Sequence, residues 1–367
     1  MKDKNLPPDN NNSSLEELTD QANQIIESLE NEKDLSNSVE SYQKLLKLNS
    51  IIEKKFHKNL KSISEMTNKK VNEIKKKMKK KLNKIAKDTN FFLKYFIYKQ
   101  NNSKLISAMK YSLFPGGKKI RSKILIDIGS LLSIDYKTLI VIGAAIECIH
   151  AYSLIHDDLP CMDNDKMRRG KPSTHIKFGE STAVLAGNSL LTMAFEILAS
   201  PTLKISEKIK IDLIKKLSEC SGHLGIAGGQ YLDLSYEKKK VTKNKIIEME
   251  IKKTGRLFSF CCAASAIIKK KDQKEIKFFE NIGSDIGLLF QIADDLIDFK
   301  GNSEIAGKKT GKDQKKGKAT LISLLGHKNA IKYCDKIIFN INKNFKKYGS
   351  KSNDIKETLH YILNRDK

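Results

Sequence analysis

The sequence predicts an almost entirely α-helical protein. Apolar residues recur at spacings of three and four over long stretches, and no run of alternating β-branched residues interrupts them. Glycine and proline are few, with 20 and 6 copies among 367 residues. Hydrophobic residues make up 40% of the chain, which is enough for a core and excludes a wholly disordered protein. The length fits one large domain with an appendage, or two domains.

Composition also argues against membrane and secreted proteins. The mean hydropathy is −0.43. The most apolar stretch, residues 138–150, contains Glu147 and is shorter than the roughly 20 residues that cross a bilayer. The first 12 residues lack the apolar segment of a secretory signal. None of the six cysteines forms a CxxC pair, so we expect reduced thiols, no membrane span and a cytoplasmic protein.

The net charge of +25 raises the possibility of a nucleic-acid-binding protein. The excess is mostly lysine in segments that are also rich in asparagine and isoleucine, as a biased coding sequence would produce. Arginine, the better reader of bases and phosphates, is scarce. We therefore expect no direct nucleic-acid specificity.

The N-terminal part divides by charge and begins with a polar tail over residues 1–12. Residues 1–40 hold ten acidic and three basic side chains, whereas residues 41–90 hold four and sixteen. Ser14 and Glu17 have capping-box spacing and predict the start of a helix. One apolar stripe follows on that helix: Leu15, Leu18, Ala22, Ile25 and Leu29.

A second helix is predicted after turn-forming residues at 31–36. Its longer apolar stripe consists of Val39, Tyr42, Leu46, Ile52, Phe56, Leu60 and Ile63. Residues 13–66 therefore read as an antiparallel helical hairpin, which is too small to bury both stripes without a partner. Residues 67–87 are lysine-rich and predict a solvated helix or linker. A single helical domain is expected over residues 88–367.

The first candidate site is an acidic motif that ends an apolar helix at residues 139–155. Asp157 and Asp158 precede Pro160, which disrupts a helix, so we expect the helix to end near Asp158 and Asp163 to return from the loop. Three converging carboxylates repel one another unless a cation neutralises them. Hard oxygen ligands of this kind favour Mg²⁺.

The second acidic motif ends another apolar helix. Asp294 and Asp298 are four residues apart and share one helix face, with Asp295 beside them. One such cluster alone is usually solvated surface, but carboxylates on two apolar helices are costly without a counter-charge. Because Mg²⁺ completes its shell with water and phosphate oxygens, two acidic helices predict a diphosphate held between metal ions.

Cationic segments alternate with the acidic motifs along the chain. Residues 116–121, GGKKIR, open a predicted helix, where free backbone N–H groups and basic side chains favour phosphate. Residues 166–172, 253–255 and 307–309 add further lysines and arginines. Each segment alone would be a surface charge patch, and only the alternation indicates an anionic substrate.

These motifs resemble the trans-isoprenyl diphosphate synthase family over residues 88–367. GGKKIR, HAYSLIHDDLPCMDNDKMRRGKPSTH, GGQYLDL, KTG and FQIADDLID with a following GKK occur in that family's order. The resemblance implies an isoprenoid synthase helical bundle around a central cavity, with both acidic motifs at its mouth, and a homodimer. It also implies a prenyltransferase that needs Mg²⁺ and joins isopentenyl diphosphate to dimethylallyl or geranyl diphosphate.

The resemblance also assigns roles to individual residues. About three Mg²⁺ ions are implied per site, on Asp157, Asp158, Asp163, Asp294, Asp295 and Asp298. The residues implied for isopentenyl diphosphate are Lys118, Arg121, His150 and Arg169. Those implied for the allylic substrate are Arg168, Lys253, Thr254, Gln291 and Lys308, of which Arg168, Lys253 and Lys308 assist the departure of diphosphate. Without the family, His150 would be interpreted as a packed core residue.

Product length is expected to depend on the residues before the first acidic motif. Tyr152 lies about 7.5 Å along the helix axis from Asp157, where a ring would stop the growing chain, and Ser153 next to it is small. This arrangement is similar to bacterial farnesyl diphosphate synthases and predicts a C15 product. Geranyl and geranylgeranyl diphosphate are the alternatives.

The hairpin at residues 13–66 is similar to the small subunit of exodeoxyribonuclease VII, on hydrophobic spacing and a few identities. The resemblance implies docking on the large catalytic subunit of that single-strand DNA exonuclease. An unrelated helical extension or a dimerisation arm is the alternative, as is an accessory subunit in which only the hairpin functions. A terpene cyclase is disfavoured because the second acidic motif is a full DDxxD and GGKKIR supplies an isopentenyl diphosphate site.

Overall fold

The computed structural model describes residues 13–31, 35–98, 103–114, 116–299 and 320–365. Nearly all of these residues are helical, which confirms the predicted all-α class. In the described part, the only sheet is a pair of two-residue strands. The chain divides into two compact units, Met1–Lys76 and Lys77–Lys367.

The first unit contains α1 (Leu15–Asn31) and the beginning of α2 (Leu35–Tyr98). The predicted capping box is present, since the Glu17 N–H donates to Ser14 Oγ at 3.1 Å and the Ser14 N–H donates to Glu17 Oε2 at 2.7 Å. Lys55 Nζ donates to the carbonyl of Ser13, so the two helices are antiparallel. Part of the predicted turn, residues 32–34, lies outside the described residues.

The hairpin core differs from the predicted one on α2. Its fully buried members are Leu18 and Ala22 of α1 and Leu48 of α2, and Leu45 and Ile52 pack beside them. These α2 residues follow a second three-and-four spacing that runs next to the predicted stripe. Only Ile52 of that stripe packs on α1. The other six are 47–61% exposed: Val39, Tyr42, Leu46, Phe56, Leu60 and Ile63.

Residues 67–87, predicted to be a solvated helix or linker, are helical and lie within α2, which runs through them without a break. The second unit begins at Lys77, before the predicted start at residue 88. Met78, Leu82 and Ile85 belong to its core, and Lys81 Nζ lies 2.6 Å from Asp354 Oδ1. The apolar residues here are few and lie at helical spacing among many lysines, so the composition of the segment does not reveal that one face of the helix is buried.

The second unit continues with short helices and connections. Its elements are α3 (Lys104–Leu113), α4 (Ile120–Leu131), α5 (Tyr136–Asp157), β1 (Met167–Arg168), β2 (Lys171–Pro172), α6 (Thr174–Phe178), α7 (Glu180–Ala199), α8 (Glu207–Ser221), α9 (Ile226–Tyr236), α10 (Lys243–Glu250), a π-helix (Ile251–Gly255), α11 (Arg256–Ile268), α12 (Gln273–Phe299), α13 (Leu321–Leu325), α14 (His327–Phe345), a 3₁₀-helix (Lys346–Ser352) and α15 (Asn353–Leu363).

The core of this unit forms around α5 and α11. Helix α5 packs between α4 and α7, and α11 packs on α4, α8 and α12. The π-helix lies against α9, α10 and α12. Five of the six cysteines are buried thiols, and Cys161 is exposed. The two acidic motifs therefore end helices, α5 and α12, that belong to one packed core.

Two helices in the described residues are longer and more apolar than the sequence analysis allowed. By length and composition alone, α5 and α7 could each cross a membrane. The most apolar window of α5 is 83% buried inside the protein, and that of α7 is 44% buried. In α5, the apolar character comes from residues that face the core on every side.

Candidate active site

The first acidic motif has the local structure that the sequence predicts. Helix α5 ends at Asp157, and Asp158 is its C-cap. The Asp163 N–H donates to the Asp157 carbonyl at 2.9 Å, and the Asp165 N–H donates to the Asp158 carbonyl at 3.2 Å. These bonds turn the loop after Pro160 back toward the helix end and bring Asp163 to it.

A tight hairpin positions Arg168 against this motif. Strands β1 and β2 are antiparallel, and the turn residues Arg169 and Gly170 have φ of +52° and +74°, as a type I′ turn requires. Arg168 Nε donates to Asp158 Oδ1 and Oδ2 at 3.0 and 3.2 Å, and Nη2 also contacts this carboxylate. Burial raises the pKa of Asp158 and exceeds the opposing effect of Arg168.

Asp157 is the most perturbed carboxylate of the motif. Burial raises its pKa to about 6; the charge of Lys253 opposes this shift, and the charge of Asp163 adds to it. A buried carboxylate beside two others is stabilised by a cation, since the ionised form otherwise loses hydration without compensation.

The second acidic motif lies on α12 and is joined to the π-helix. Thr254 Oγ1 donates to Gln291 Oε1 at 3.0 Å, and Gln291 Nε2 donates to Asp295 Oδ1 at 2.9 Å. The structure also brings Arg365 to this motif, with Nη2 2.7 Å from Asp294 Oδ1. Sequence reasoning missed Arg365 because no motif surrounds it. Asp298 lies one turn further along α12 and is half-buried.

Consecutive residues of the π-helix are oriented toward different parts of the site. Lys253 interacts electrostatically with Asp157 and places Nζ 2.5 Å from Asp233 Oδ2, while Thr254 points to α12. The close packing of the π-helix on α9 depends on Gly229, because a Cβ at this glycine would lie 2.1 Å from the backbone nitrogen of Lys253. π-Helical turns often mark functional sites. Asp233 was within the quoted GGQYLDL motif but was not among the predicted site residues.

A buried ion pair fixes the loop before α4. Lys119, the N-cap, adopts φ of +50° and places Nζ 3.2 Å from Glu147 Oε2. Ser122 Oγ donates to Glu147 Oε1 at 2.8 Å. Burial alone would raise the pKa of Glu147, but Lys119 and Ser122 together hold it below its ordinary value. In the sequence, Glu147 is a single charge in an apolar stretch, and no motif indicates Lys119 as its partner.

Arg121 and His150, both predicted to hold isopentenyl diphosphate, are in contact. Arg121 Nη1 lies 3.3 Å from His150 Nε2, and the guanidinium lies over the ring of Phe258 at 4.8 Å. Burial lowers the pKa of His150 well below its ordinary value, and the charge of Arg121 lowers it further. The imidazole is therefore neutral and accepts from the guanidinium.

The other two predicted isopentenyl diphosphate residues lie close to the same loop. Gly117 leaves room for the guanidinium of Arg169, since a Cβ at this glycine would lie 3.1 Å from Nη2. Lys118 Nζ lies 5.4 Å from the ring centre of Tyr361. The four predicted residues thus come from the loop before α4, from the first turn of α4, from α5 and from the β-hairpin turn. Lys308, predicted for the allylic substrate, lies outside the described residues.

The predicted chain-length residues lie in the interior of α5. The Tyr152 hydroxyl donates to the Ser221 carbonyl at 3.3 Å, and its ring packs edge-on against His156 at 5.7 Å. Ser153 Oγ donates to the His150 carbonyl at 3.1 Å. Both side chains are buried, and the ring of Tyr152 is held at both ends.

The six aspartates have the donor chemistry that Mg²⁺ prefers. Among the described residues, no three His, Cys, Asp or Glu side chains come close enough to hold one ion by themselves. Asp158 and Asp294 are paired with Arg168 and Arg365. Because Mg²⁺ takes one or two carboxylates and completes its shell with water and phosphate, these residues fit an ion shared with a diphosphate.

Comparison with known proteins gives one consistent result. The chain matches the polyprenyl synthetase family over residues 102–362. It is 37% identical to farnesyl diphosphate synthase of Escherichia coli over 271 residues, 72% of this chain and 91% of that protein. It is 34% identical to geranylgeranyl diphosphate synthase of Cyanophora paradoxa over 283 residues, 77% of this chain and 93% of that protein.

A solved structure agrees with these relatives. Geranyltransferase from Helicobacter pylori, complexed with magnesium and isoprenyl diphosphate, is 30% identical, covers 76% of this chain and 95% of its own, and superposes with a TM-score of 0.65. The family match over residues 102–362 includes both acidic motifs and all four cationic segments. On this basis the chain belongs to the polyprenyl synthetase family and is a prenyltransferase of the farnesyl diphosphate synthase type.

Proposed function

We propose that the enzyme joins isopentenyl diphosphate to dimethylallyl and then geranyl diphosphate, releasing farnesyl diphosphate and inorganic diphosphate. One observation carries the proposal: the charge of Lys253 in the π-helix acts on Asp157 of the first acidic motif, and the next residue, Thr254, is hydrogen-bonded through Gln291 to Asp295 of the second. An anion bound between α5 and α12 would therefore meet carboxylates from both helices with a lysine between them. The E. coli relative named above has this product.

The proposed site uses about three Mg²⁺ ions on the six aspartates. The H. pylori neighbour, crystallised with magnesium and isoprenyl diphosphate, supports this assignment. When bound, the ions would stabilise the negative charge that develops on the departing diphosphate.

The side chains of the chain itself divide the remaining work. Arg168 and Lys253, with Lys308, hold the allylic diphosphate as its C–O bond breaks. On the other substrate, Lys118, Arg121, His150 and Arg169 fix isopentenyl diphosphate, whose double bond attacks the allylic cation. Loss of a proton to the released diphosphate completes the reaction. No nucleophilic side chain is required, and the apolar walls of α5 and α11 keep water away from the cation.

We propose C15 as the product length because Tyr152 blocks further growth. Its ring is buried beside the first acidic motif and is held by Ser221 and His156. The C20 alternative is represented by the relative from C. paradoxa, which is a geranylgeranyl diphosphate synthase.

The test is incubation of the full chain with Mg²⁺, isopentenyl diphosphate and geranyl diphosphate, followed by chromatography of the dephosphorylated products. We expect farnesol from the native chain and from Asp212→Asn, which removes an exposed carboxylate on α8. Asp157→Asn and Asp294→Asn are expected to lose the product. Folded native protein that yields no farnesyl product contradicts the proposal.

For the N-terminal hairpin we propose docking on the large subunit of exodeoxyribonuclease VII through residues 13–66. The support is the unpartnered stripe on α2, whose six apolar members are half-exposed on a helix that already packs on α1. Co-expression with that subunit is expected to retain it on the tagged full chain. Leu46→Glu is expected to abolish retention, and Lys44→Glu, a charge change at another exposed position of α2, serves as the control. Equal retention by both variants contradicts this docking.

We further propose a cytoplasmic homodimer. The buried thiols and their chemistry suit a reducing compartment. Sedimentation of the purified full chain tests the dimer, and a protomer mass at micromolar concentration contradicts it.

A further inference from the structure

Arginine is rare in this protein, and its few positions are informative. Five of the 68 basic residues are arginine, and all five lie in the unit Lys77–Lys367. Three of them, Arg121, Arg168 and Arg169, are predicted substrate contacts, whereas Arg256 and Arg365 have no assigned role. A lysine can replace the positive charge of an arginine, but it lacks the planar guanidinium that stacks on aromatic rings and donates hydrogen bonds in two directions. A position whose contacts use both properties is one that lysine could not fill in the same way.

The contacts of Arg365 use this geometry fully. It follows α15, and its side chain is only 4% exposed. Nη2 lies 2.7 Å from Asp294 Oδ1 and 3.2 Å from the Phe290 carbonyl, and the guanidinium carbon lies 3.9 Å from the ring centre of Phe290. One side chain thus makes an ion pair, a backbone hydrogen bond and a stacking contact.

The partner of Arg365 belongs to the second acidic motif. Asp294 keeps 42% of its side chain exposed, so an ion or a ligand can approach its carboxylate from the open side. Nε of Arg365 is buried and has no hydrogen-bond partner among the described residues. The ring of Phe290 also lies 5.6 Å from the Arg121 guanidinium, so two arginines flank one aromatic ring near this carboxylate.

We propose that Arg365 is a positioning residue that occupies Asp294 in place of a metal ion until a magnesium-bound diphosphate arrives. The guanidinium then leaves the carboxylate and stays on the ring and carbonyl of Phe290, which hold it independently of Asp294. This inference rests on the proposed function, in which Asp294 binds Mg²⁺. It has a consequence of its own: without diphosphate, a divalent cation competes with a tethered guanidinium and binds weakly at this motif.

The test measures metal binding to the full chain without substrate, using Mn²⁺ as the probe and electron paramagnetic resonance to count free ions. Arg365→Gln is expected to bind Mn²⁺ about tenfold more tightly, because the competing cation is gone. Arg365→Lys keeps the charge but not the stacking, and its affinity for Mn²⁺ is expected to lie between those of the native chain and Arg365→Gln. Lys351→Gln removes an exposed positive charge and is expected to match the native chain.

A double-mutant comparison distinguishes competition at Asp294 from a general loss of positive charge. In an Asp294→Asn background, adding Arg365→Gln is expected to leave Mn²⁺ binding unchanged. The proposal is overturned if Arg365→Gln binds Mn²⁺ as the native chain does, or if it tightens binding equally in the Asp294→Asn background. Should Arg365→Gln fail to fold in a urea titration, Arg365→Lys decides by the same comparison. Product formation is assayed separately, so a failed prenyl transfer would not be mistaken for a failed exchange.

Discussion

The two units of the chain use the same sequence signal in different ways. In Lys77–Lys367, apolar residues at helical spacing are buried in one large core, and α5 is buried on nearly every side. In Met1–Lys76, three fully buried residues form the core, while six residues of a neighbouring stripe stay 47–61% exposed. Helical spacing identifies a face that favours burial, but a two-helix unit has too little surface to cover two such faces.

The units differ in their ion pairs as well. Lys119 and Glu147 meet in the larger unit with both side chains 5% exposed, and Ser122 completes the pair. In the hairpin, Lys44 and Glu40 are 57% and 77% exposed at 3.6 Å. Since water screens the second pair and not the first, equal charges at similar distances should have very different consequences for stability.

The largest expected effect is on turnover and belongs to the larger unit. Asp157→Asn should lower kcat about 10³-fold, because a developing charge on the leaving group loses its stabilisation. The free energy of unfolding should not fall, since burial already raises the pKa of Asp157 to about 6 and disfavours its charge. Steady-state kinetics and urea unfolding check both statements, and a large drop in stability with unchanged kcat would reverse our assignment.

The next effect contrasts the two ion pairs directly. Glu147→Gln should lower the free energy of unfolding by about 3 kcal/mol at neutral pH, because Lys119 would remain buried and charged. Glu40→Gln, the matched change in the hairpin, should stay within about 0.5 kcal/mol. Urea titrations measure both. The fold lowers the pKa of Glu147, so its contribution is present above the ordinary glutamate pKa and should vanish as pH falls through the lowered value.

A smaller change in chemistry should follow from Tyr152. Tyr152→Ala should extend the product beyond C15, because the ring beside the first acidic motif is removed. Tyr152→Phe keeps the ring, loses only the hydroxyl bond to Ser221 and should still yield C15. Reverse-phase chromatography of the products distinguishes the variants. Identical products from both would show that the chain end lies elsewhere.

The smallest effect is expected in the hairpin and tests its two apolar faces. Leu48→Ala should destabilise the hairpin by about 2 kcal/mol, since Leu48 fills its core. Leu46→Ala, two residues earlier on the exposed stripe, should change stability by less than about 0.5 kcal/mol. Amide hydrogen exchange of α1 in the full chain measures both. Lower protection of α1 in Leu46→Ala than in Leu48→Ala would mean that the stripes have been interchanged.

Sequence reasoning predicted the features that depend on local chemistry. The end of α5 at Asp157 followed from Pro160, and the start of α1 followed from the spacing of Ser14 and Glu17. The family and the enzyme class followed from motifs in a fixed order, which the comparisons confirm.

The missed features all depend on which distant segments meet. Composition gave no indication that Met78 and Leu82 belong to the core, because lysines surround them. Which of the two adjacent apolar stripes on α2 is buried depends on where α1 packs, and the spacing of residues along α2 carries no information about that. Arg365 contacts Asp294 across 71 residues of chain, and no motif connects them.

The π-helix has a consequence for comparing this enzyme with its relatives. Its wider turn accommodates one more residue than an α-helical turn, and its consecutive residues Lys253 and Thr254 contact Asp233 and Gln291 on two different helices. Deleting one residue here would rotate everything on one side by about 100° around the axis and misdirect either Lys253 or Thr254. A relative whose alignment has a gap at these five residues would need a different side chain to contact the helix that carries its second acidic motif. The length of the alignment here therefore indicates whether the π-helix and its two contacts are shared.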